Sequence, residues 1–330
     1  MLKPYLSLPL LRFILLLLLT GFLTVSCNNS NSRSASVKGD TLQGKITISG
    51  AFALYPLVVK WAEVYHELHP GVTISVSAGG AGKGMADALS HMVDLGMYSK
   101  SVSPEEQAKG AWWIAMAKDA VLPTINSQNP VLSELRKKGL TRQKFYDIFI
   151  TGKIKTWGEA VGNGCAVTLQ SFTRSDACGA AEMWAKYLKD NKQEDLQGLG
   201  VNGDPGVADA VRKNPEGIGF NNLGFVYQMD TRKIYQGLEV VPIDLNDNGI
   251  IDKEESFYNT MDQVMEAINK GVYPSPPARD LYFVSGGKPV NPLVIAFLRW
   301  TLTEGQQYVH EAGYVEIPPD KIKSELSKFD

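Results

Sequence analysis

The chain has 330 residues, of which 44% are hydrophobic and 21% charged, a composition typical of a globular protein with one large or two medium domains. The formal net charge is −2 at pH 7. Residues 1–26 contain two of the 33 basic residues and none of the 35 acidic ones, so a chain without them would carry 31 basic against 35 acidic residues, or −4. This acidic balance argues against nucleic acids as partners and against membrane binding through a polybasic surface.

The N-terminus has the three parts of an export signal. Lys3 and Arg12 precede an apolar run at residues 13–19, and small residues then lead to Cys27. The run is too short for a comfortable transmembrane span. A cysteine after such a region resembles the lipobox of bacterial lipoproteins, so residues 1–26 are predicted to be a signal peptide and Cys27 to be lipidated, with plain secretion as the alternative.

A stretch rich in serine, asparagine and glycine follows the predicted lipidation site. Residues 27–44 therefore form a predicted flexible tether, and folding is expected to start near Lys45. The mature protein is expected to be exported and lipid-anchored to a bacterial membrane, facing the periplasm or the cell surface.

The first part of the folded region alternates short β-branched runs with stretches whose apolar residues recur at helical spacing. This order predicts an α/β fold with a parallel sheet. The strands are expected at residues 46–49, 72–77 and 93–98, and the helices at residues 56–68 and 85–92.

A long extended run at residues 113–126, interrupted by Pro123, could cross from one lobe of the protein to another. The same alternation continues after it, which favours two α/β lobes with a ligand between them. Helices are expected at residues 141–152, 181–191, 205–215, 260–271 and 292–313, and strands at residues 166–172, 217–227 and 239–244.

Glycines crowd the junction between a predicted strand and a predicted helix, at Gly79, Gly80, Gly82 and Gly84. Uncovered backbone N–H groups at a helix start favour negative charge, so this loop could hold an anion. A simple tight turn is the alternative.

A second strand-to-helix junction carries Arg174, Asp176, Cys178 and Gly179 within six positions. Three interpretations compete: a thiol nucleophile, an anion cradle, or an ion pair that caps a helix. A guanidinium can hold two oxygens of a tetrahedral anion. A carboxylate beside it would repel fully ionised sulfate but can accept the proton of hydrogen phosphate. The anion cradle is therefore favoured, with Asp176 selecting a protonated ligand.

A series of segments in chain order resembles the successive motifs of the phosphate-binding protein of phosphate ABC transporters, the PstS-like family. Together they cover roughly residues 45–320, which makes the resemblance more specific than any single motif. The segments are residues 49–63, 77–85, 93–100, 151–157, 173–180, 217–222 and 305–315.

The resemblance implies a bilobed type II periplasmic-binding-protein fold, with two α/β lobes joined by crossover strands. Residues 45–120 and 227–330 would form lobe 1 and residues 121–226 lobe 2, with hinges for lobe closure near residues 117–124 and 222–230. The protein would bind dehydrated hydrogen phosphate between the lobes and deliver it to an ABC permease in the membrane. It is expected to be a monomer without a required cofactor and without enzymatic activity.

The family's contacts to its anion can be carried over position by position. They include backbone N–H groups, hydroxyls and the Arg-x-Asp pair. The resemblance places the ligand on Leu54, Tyr55, Ala81, Gly82, Ser99, Lys100, Arg174, Asp176, Cys178, Gly179 and Ala180.

The chain departs from the family where hydroxyl donors are expected. Ala81 and Cys178 stand in place of serines, and Ala180 in place of a threonine. Each missing hydrogen bond to a charged oxygen costs about 1.5–3 kcal/mol if nothing replaces it, so phosphate affinity could fall by several orders of magnitude. Three outcomes stay open: backbone and water compensate, the ligand is another oxyanion, or the protein is a surface or sensory lipoprotein that has lost phosphate binding.

Residues 244–255 match the twelve-residue calcium loop of an EF-hand throughout. A polar turn that contains Asn-Gly is the alternative. No convincing helix precedes the loop, so a bound Ca²⁺ would be a structural clip. The predicted ligands are Asp244, Asn246, Asn248, Ile250, Asp252 and Glu255.

An enzyme is the least favoured function. Cys178 at a helix start could be the nucleophile of a hydrolase, but none of the four histidines lies in a motif with it. Besides Cys27, only Cys165 and Cys178 remain, and the sequence leaves open whether they form a disulfide or stay free.

Overall fold

The computed structural model describes residues 42–330. The predicted signal peptide, the lipidation site Cys27 and the tether up to residue 41 lie outside the described residues. Within the described range, none of the helices is both long enough and apolar enough to span a membrane.

Strands and helices alternate along the described range, as the sequence predicts for an α/β protein. The strands are β1 (Gly44–Gly50), β2 (Val72–Ala78), β3 (Leu95–Tyr98), β4 (Ala111–Asn126), β5 (Leu140–Thr141), β6 (Gln170–Arg174), β7 (Leu199–Val201), β8 (Gly217–Asn222), β9 (Leu238–Val240), β10 (Ile243–Asp244) and β11 (Ala278–Gly286). The helices are α1 (Tyr55–Leu68), α2 (Ala81–Leu89), α3 (Pro104–Ala108), α4 (Leu132–Lys138), α5 (Arg142–Phe149), α6 (Trp157–Val161), α7 (Gly179–Tyr187), α8 (Gly203–Lys213), α9 (Leu223–Val226), α10 (Met261–Asn269), α11 (Pro292–Leu302) and α12 (Pro319–Ser327).

One mixed sheet of nine strands runs in the order β2-β1-β3-β11-β4-β8-β6-β7, with β9 also paired to β4. The pairs of β1 with β2 and β3 are parallel, as are those of β6 with β7 and β8. Both β11 and β8 pair antiparallel with β4. The parallel sheet predicted for the first part of the chain is therefore confirmed, within a larger mixed sheet.

The long strand β4 belongs to both parts of this sheet. Its residues 111–120 pair with β11, and its residues 121–125 pair with β8. At about 3.3 Å per residue, its 16 residues span about 50 Å. This strand is the extended run that the sequence predicted to cross between the two parts of the protein.

Two large hydrophobic cores lie along the sheet, beside a smaller cluster formed by Phe172, Val207, Ala208, Val211 and Leu238. The first draws on residues 46–117 and 281–317, and the second mainly on residues 120–278. The cores meet on β4 between Ala117 and Ala120. Each part of the molecule therefore has its own interior, and β4 is shared by both.

The predicted lobe division stays a prediction. Residues 227–330 were expected in lobe 1, yet most buried side chains from Tyr227 to Ala278 pack in the second core. Those from Leu281 onward pack mostly in the first core. If the lobes were divided by their hydrophobic cores, the chain would pass from the second part back to the first within β11.

The strand β8 is shorter than the predicted strand at residues 217–227. It ends at Asn222, whose side-chain N–H donates to Oδ1 of Asp204 at 2.7 Å. The next N–H, that of Leu223, donates to Oδ1 of the buried Asp119 at 3.3 Å. Side-chain acceptors thus take the place of strand partners, and the chain turns into α9.

We expect Trp184→Ala to lower the free energy of unfolding by about 3–5 kcal/mol, because the fully buried indole packs against Phe145, Phe149 and Phe220. Denaturant unfolding followed by circular dichroism measures this change. The control is Leu199→Ala, since Leu199 is 59% exposed and its truncation should change stability by less than about 0.5 kcal/mol. Similar effects of the two substitutions would contradict the packing of the second core.

Candidate anion-binding site

The predicted anion cradle begins at the end of β6, where two carboxylates hold Arg174. Nε of Arg174 donates to Oδ1 of Asp176 at 2.8 Å, and Nη2 donates to Oδ2 at 2.6 Å. Nη1 donates to Oδ2 of Asp204 at 2.5 Å. The Arg174 side chain is 1% exposed, so its position is fixed by these partners. The ion pair that the sequence analysis weighed against an anion cradle is thus present, and it orients the guanidinium.

The charges of this cluster support one another. Burial alone would lower the pKa of Arg174, but Asp204 and Asp176 raise it above its usual value. Burial alone would raise the pKa of Asp176, but the hydrogen bond from Arg174 and that from the N–H of Gly203 lower it. Arg174 and Asp176 are therefore both ionised at neutral pH.

Helix α7 begins directly after this cluster and presents two backbone donors. Within residues 42–330, the N–H groups of Gly179 and Ala180 have no acceptor. The N–H of Cys178, predicted to face the anion, donates instead to Oε1 of Gln193 at 3.0 Å. Two of the three predicted donors at this helix start are thus available to a ligand, where the helix dipole favours negative charge.

The glycine-rich loop brings a second helix start to the same place. The N–H of Gly82 donates to the carbonyl of Ala177 at 3.2 Å, which joins α2 to the loop before α7. Gly80 has φ of 91°, and a side chain there would also meet the Asp176 carboxylate. The N–H of Ala81 has no acceptor among the described residues, so it adds a third free donor.

Ser99 follows β3 and forms the wall opposite α7. A Cβ atom on Gly179 would lie 2.6 Å from the carbonyl carbon of Ser99, so the two backbones are in direct contact. Ser99 is buried, whereas its neighbour Lys100 is half-buried and forms no ion pair with any residue of the described range. The structure thus brings the end of β3, α2 and α7 together, and Lys100 follows Ser99 in the chain.

The predicted contacts on α1 meet this cluster less directly. Leu54 is fully buried, and Tyr55, the first residue of α1, is half-buried. Both N–H groups close a turn, to the carbonyls of Ala51 and Phe52. The aromatic ring of Phe52, which the sequence analysis did not single out, lies 5.6 Å from the guanidinium carbon of Arg174.

Sequence reasoning also missed Asp204 and Gln193. Asp204 lies in the first turn of α8, where an acid stabilises a helix start, and this was its available signal. Gln193 binds both sides of the loop, since its Nε2 donates to the carbonyl of Asp176 at 2.7 Å and its Oε1 accepts from Cys178. A lone glutamine in a loop carries no sequence signal for such a role.

The thiol of Cys178 caps α7 by accepting from the N–H of Ala181 at 3.3 Å. Burial raises the pKa of this thiol to about 12, so it is protonated at neutral pH. The buried, protonated thiol therefore gives no support to a thiolate nucleophile at this position. Cys165 and Cys178 are both free, which resolves the choice that the sequence left open.

The predicted calcium loop is closed by its own hydrogen bonds. Oδ1 and Oδ2 of Asp244 accept from the N–H groups of Asn248 and Gly249 at 3.1 and 2.9 Å. The amides of Asn246 and Asn248 both donate to Oδ2 of Asp252. Across the described range, no group of three or more His, Cys, Asp or Glu residues is arranged to hold a metal ion. The calcium ligands stay a prediction.

Comparison with known proteins identifies the class of this protein. A family model described as the PBP superfamily domain matches residues 35–304, most of the chain. The chain is also similar to a candidate phosphate ABC transporter substrate-binding protein from Clostridium perfringens, solved with bound phosphate. That similarity has a TM-score of 0.67 at 22% identity and covers 83% of this chain and 100% of the other. The chain belongs to the PBP superfamily, and its predicted fold is confirmed.

Curated relatives narrow the class further. The chain is 30% identical over 228 residues to the phosphate-binding protein PstS of Bacillus subtilis (strain 168), which covers 67% of this chain and 73% of that protein. It is 27% identical over 306 residues to the phosphate-binding protein PstS of Pseudomonas aeruginosa (strain PAO1), covering 85% of each. Within the superfamily, the chain is a member of the PstS-like family.

We expect Gly179→Ala to weaken anion binding at least tenfold, because the added methyl group would overlap the backbone of Ser99 and hold the two walls apart. Titration calorimetry measures the affinity, and small-angle X-ray scattering should detect a larger radius of gyration. The control is Gly164→Ala, since a methyl group at Gly164 meets no atom within 4 Å. Unchanged affinity in Gly179→Ala would show that this contact is not needed for binding.

Proposed function

We propose that this protein captures hydrogen phosphate between its two lobes and delivers it to an ABC permease in the membrane. The observation that carries the proposal is that Arg174, fixed by two carboxylates, lies in the same cluster of loops as the free N–H groups of Ala81, Gly179 and Ala180. These groups provide a guanidinium of fixed orientation and several directed N–H donors for the oxygens of a tetrahedral anion. The PstS relatives, named as phosphate-binding proteins, support phosphate as this anion.

The charge balance of the site favours an anion that carries a proton. Among the described residues, Arg174 is the one cation hydrogen-bonded to both Asp176 and Asp204, so these three groups carry a net charge of −1 when all are ionised. A fully ionised anion would meet carboxylates that can only accept hydrogen bonds. Hydrogen phosphate can donate its proton to a carboxylate, which turns that repulsion into a hydrogen bond. We therefore propose that Asp176 excludes sulfate.

One observation favours a second candidate, a protein that binds another oxyanion or serves as a surface or sensory lipoprotein. Ala81, Cys178 and Ala180 offer no hydroxyl where the family expects one, and the N–H of Cys178 is already taken by Gln193. If the remaining backbone donors and water do not compensate, phosphate binding would be weak. The ligand comparison below separates the two candidates.

The proposed processing and location of the protein follow from its predicted signal peptide. We propose that residues 1–26 are removed, that Cys27 is lipidated, and that the folded part acts as a monomer on the outer side of a bacterial membrane. The proposed lobes, residues 45–120 with 227–330 and residues 121–226, would close around the anion. No cofactor is proposed for this function.

Removal of Arg174 should abolish anion capture. We expect Arg174→Ala to lower phosphate affinity by at least about a hundredfold, because the anion loses charge-assisted hydrogen bonds while Asp176 and Asp204 remain. Arg174→Lys keeps the positive charge and tests whether the planar guanidinium is needed for binding. These effects are measured by calorimetric titration with phosphate, arsenate and sulfate. The sample is a protein of residues 28–330 from which any bound ligand has been removed.

The same titrations test the selectivity of the site. Asp176→Asn should gain sulfate binding, because the carboxylate that repels a fully ionised anion is replaced by an amide that can donate. The control is Arg136→Ala, which removes an exposed ion pair with Glu239 and should change neither ligand's affinity. Unchanged selectivity in Asp176→Asn would refute the proton argument. Wild-type protein that binds none of the three anions would refute the transport function.

We also propose a structural Ca²⁺ held by the six predicted ligands of residues 244–255. Asp244 and Glu255 support it, because they are only 2% and 4% exposed and form no ion pair with any described cation. Carboxylates are almost never this deeply buried unless they are paired, and backbone N–H groups are the partners of these two in the described range. A bound Ca²⁺ would supply a positive charge and secure the connection after β10.

Calcium should raise the thermal midpoint of the wild-type protein by about 5 °C or more when its concentration is a hundred times its dissociation constant. Chelation by EDTA should reverse the shift, and Asp244→Asn should reduce it by weakening the first ligand. Differential scanning calorimetry measures all three samples. If calcium does not change the thermal midpoint of the wild-type protein, the Ca²⁺ proposal is wrong and residues 244–255 are a polar turn.

A further inference from the structure

Arg279 is a buried arginine outside the motifs that define the anion site. It lies on β11 opposite Asp119 of β4, where β4 passes from the first core to the second. The two side chains are only 6% and 1% exposed. A buried guanidinium needs partners for its donors, so its contacts indicate what it holds in place.

The pairing of Arg279 with Asp119 is loose. Nη1 of Arg279 lies 3.4 Å from Oδ2 of Asp119, and neither atom has a hydrogen-bond partner within the described range. Asp119 uses Oδ1 to accept from the N–H groups of Ala120 and Leu223. Burial raises the pKa of Asp119 to about 6 despite the opposite charge beside it. A dedicated ion pair would be hydrogen-bonded and commonly bidentate, so charge neutralisation alone does not account for Arg279.

The hydrogen bonds of Arg279 reach both sides of the anion site, Ser99 on one side and Arg174 on the other. Nε donates to the carbonyl of Ser99 at 3.3 Å. Nη2 donates to Oδ1 of Asn222, and the amide N–H of Asn222 donates to Oδ1 of Asp204 at 2.7 Å. The other oxygen of Asp204 accepts from Arg174 at 2.5 Å. An unbroken chain of hydrogen bonds thus joins Arg279 on β11 to Arg174.

We propose that Arg279 is a positioning residue of the anion site, which holds the Ser99 wall directly and Arg174 through Asn222 and Asp204. The proposal rests on the proposed function, because it specifies how that same site keeps its shape. Arg279 does not touch the anion in this account.

The hydrogen-bond network around Arg279 also lies where the two lobes are predicted to close. Asp119 and Asn222 lie in the two predicted hinge segments, residues 117–124 and 222–230. Arg279 contacts both residues. Its guanidinium therefore links both predicted hinge segments to Ser99 and, through Asn222 and Asp204, to Arg174. Closure and the orientation of Arg174 are therefore coupled.

A lysine at this position separates charge from geometry. The planar guanidinium of Arg279 spreads its donors over Ser99 and Asn222, whereas an ammonium concentrates the same charge at one point. Arg279→Lys should therefore keep the compensation of Asp119 but lose the link to at least one wall. The matched control is Arg136→Lys on the exposed surface.

The first test is a double-mutant cycle on phosphate affinity, measured by calorimetry. We expect Arg279→Lys and Asn222→Ala each to weaken binding about ten- to hundredfold, and the double substitution to weaken it little more than the stronger single one. Arg136→Lys should bind as the wild type does. Losses that multiply in the double variant, or wild-type affinity in Arg279→Lys, would overturn the proposal.

The second test needs no ligand. The Nε–H signal of Arg174 in nuclear magnetic resonance spectra of ligand-free protein, assigned by its loss in Arg174→Lys, should shift and exchange faster with water in Arg279→Lys but not in Arg136→Lys. If Arg279→Lys does not fold, Asn222→Ala breaks the same chain at its middle and is read in the same way. An unchanged Arg174 signal in a folded variant would overturn the proposal. Wild-type protein that binds no phosphate would instead refute the proposed function.

Discussion

The buried charge of Arg174 is the constraint on which the site depends. A guanidinium with 1% exposure must be neutralised and hydrogen-bonded, and Asp176 and Asp204 do both from different segments of the chain. Asp176 follows β6 directly, whereas Asp204 comes from α8. The two carboxylates fix the plane of the guanidinium, and under the proposed function they also limit which anions can approach it. The orientation of Arg174 and the proposed selectivity therefore depend on the same ion pairs.

Close backbone contact is the second requirement, because backbone N–H groups reach a ligand only if nothing covers them. Gly179 lets α7 approach Ser99, and Gly80 leaves room for the Asp176 carboxylate. The start of α2 is tied to the loop before α7 by the bond from Gly82 to Ala177. Two helix N-termini thus converge on one small volume, and their dipoles add to the single fixed cation. This arrangement can offset hydroxyls that the sequence lacks.

The sequence predicted those parts of the fold and the site that are local. The α/β alternation, the crossing strand β4 and the crowded residues 174–180 are visible as patterns within short windows. Asp204, Gln193 and Arg279 were missed because each reaches the site only after strands distant in sequence have paired. The early end of β8 was missed for a similar reason, since its strand partners are replaced by side chains from elsewhere in the fold. Tertiary contacts of this kind leave no periodic signal.

The place of β11 in the sheet has a consequence for the order in which the protein can fold. This strand lies between β3 and β4, and Tyr282 pairs with Tyr98, so the first core lacks a central strand until the chain beyond residue 278 has been synthesised. Contacts between residues so distant in sequence form slowly. A growing chain therefore cannot complete this half on the ribosome before synthesis is nearly finished. Such a delay suits a polypeptide that crosses a membrane before it folds.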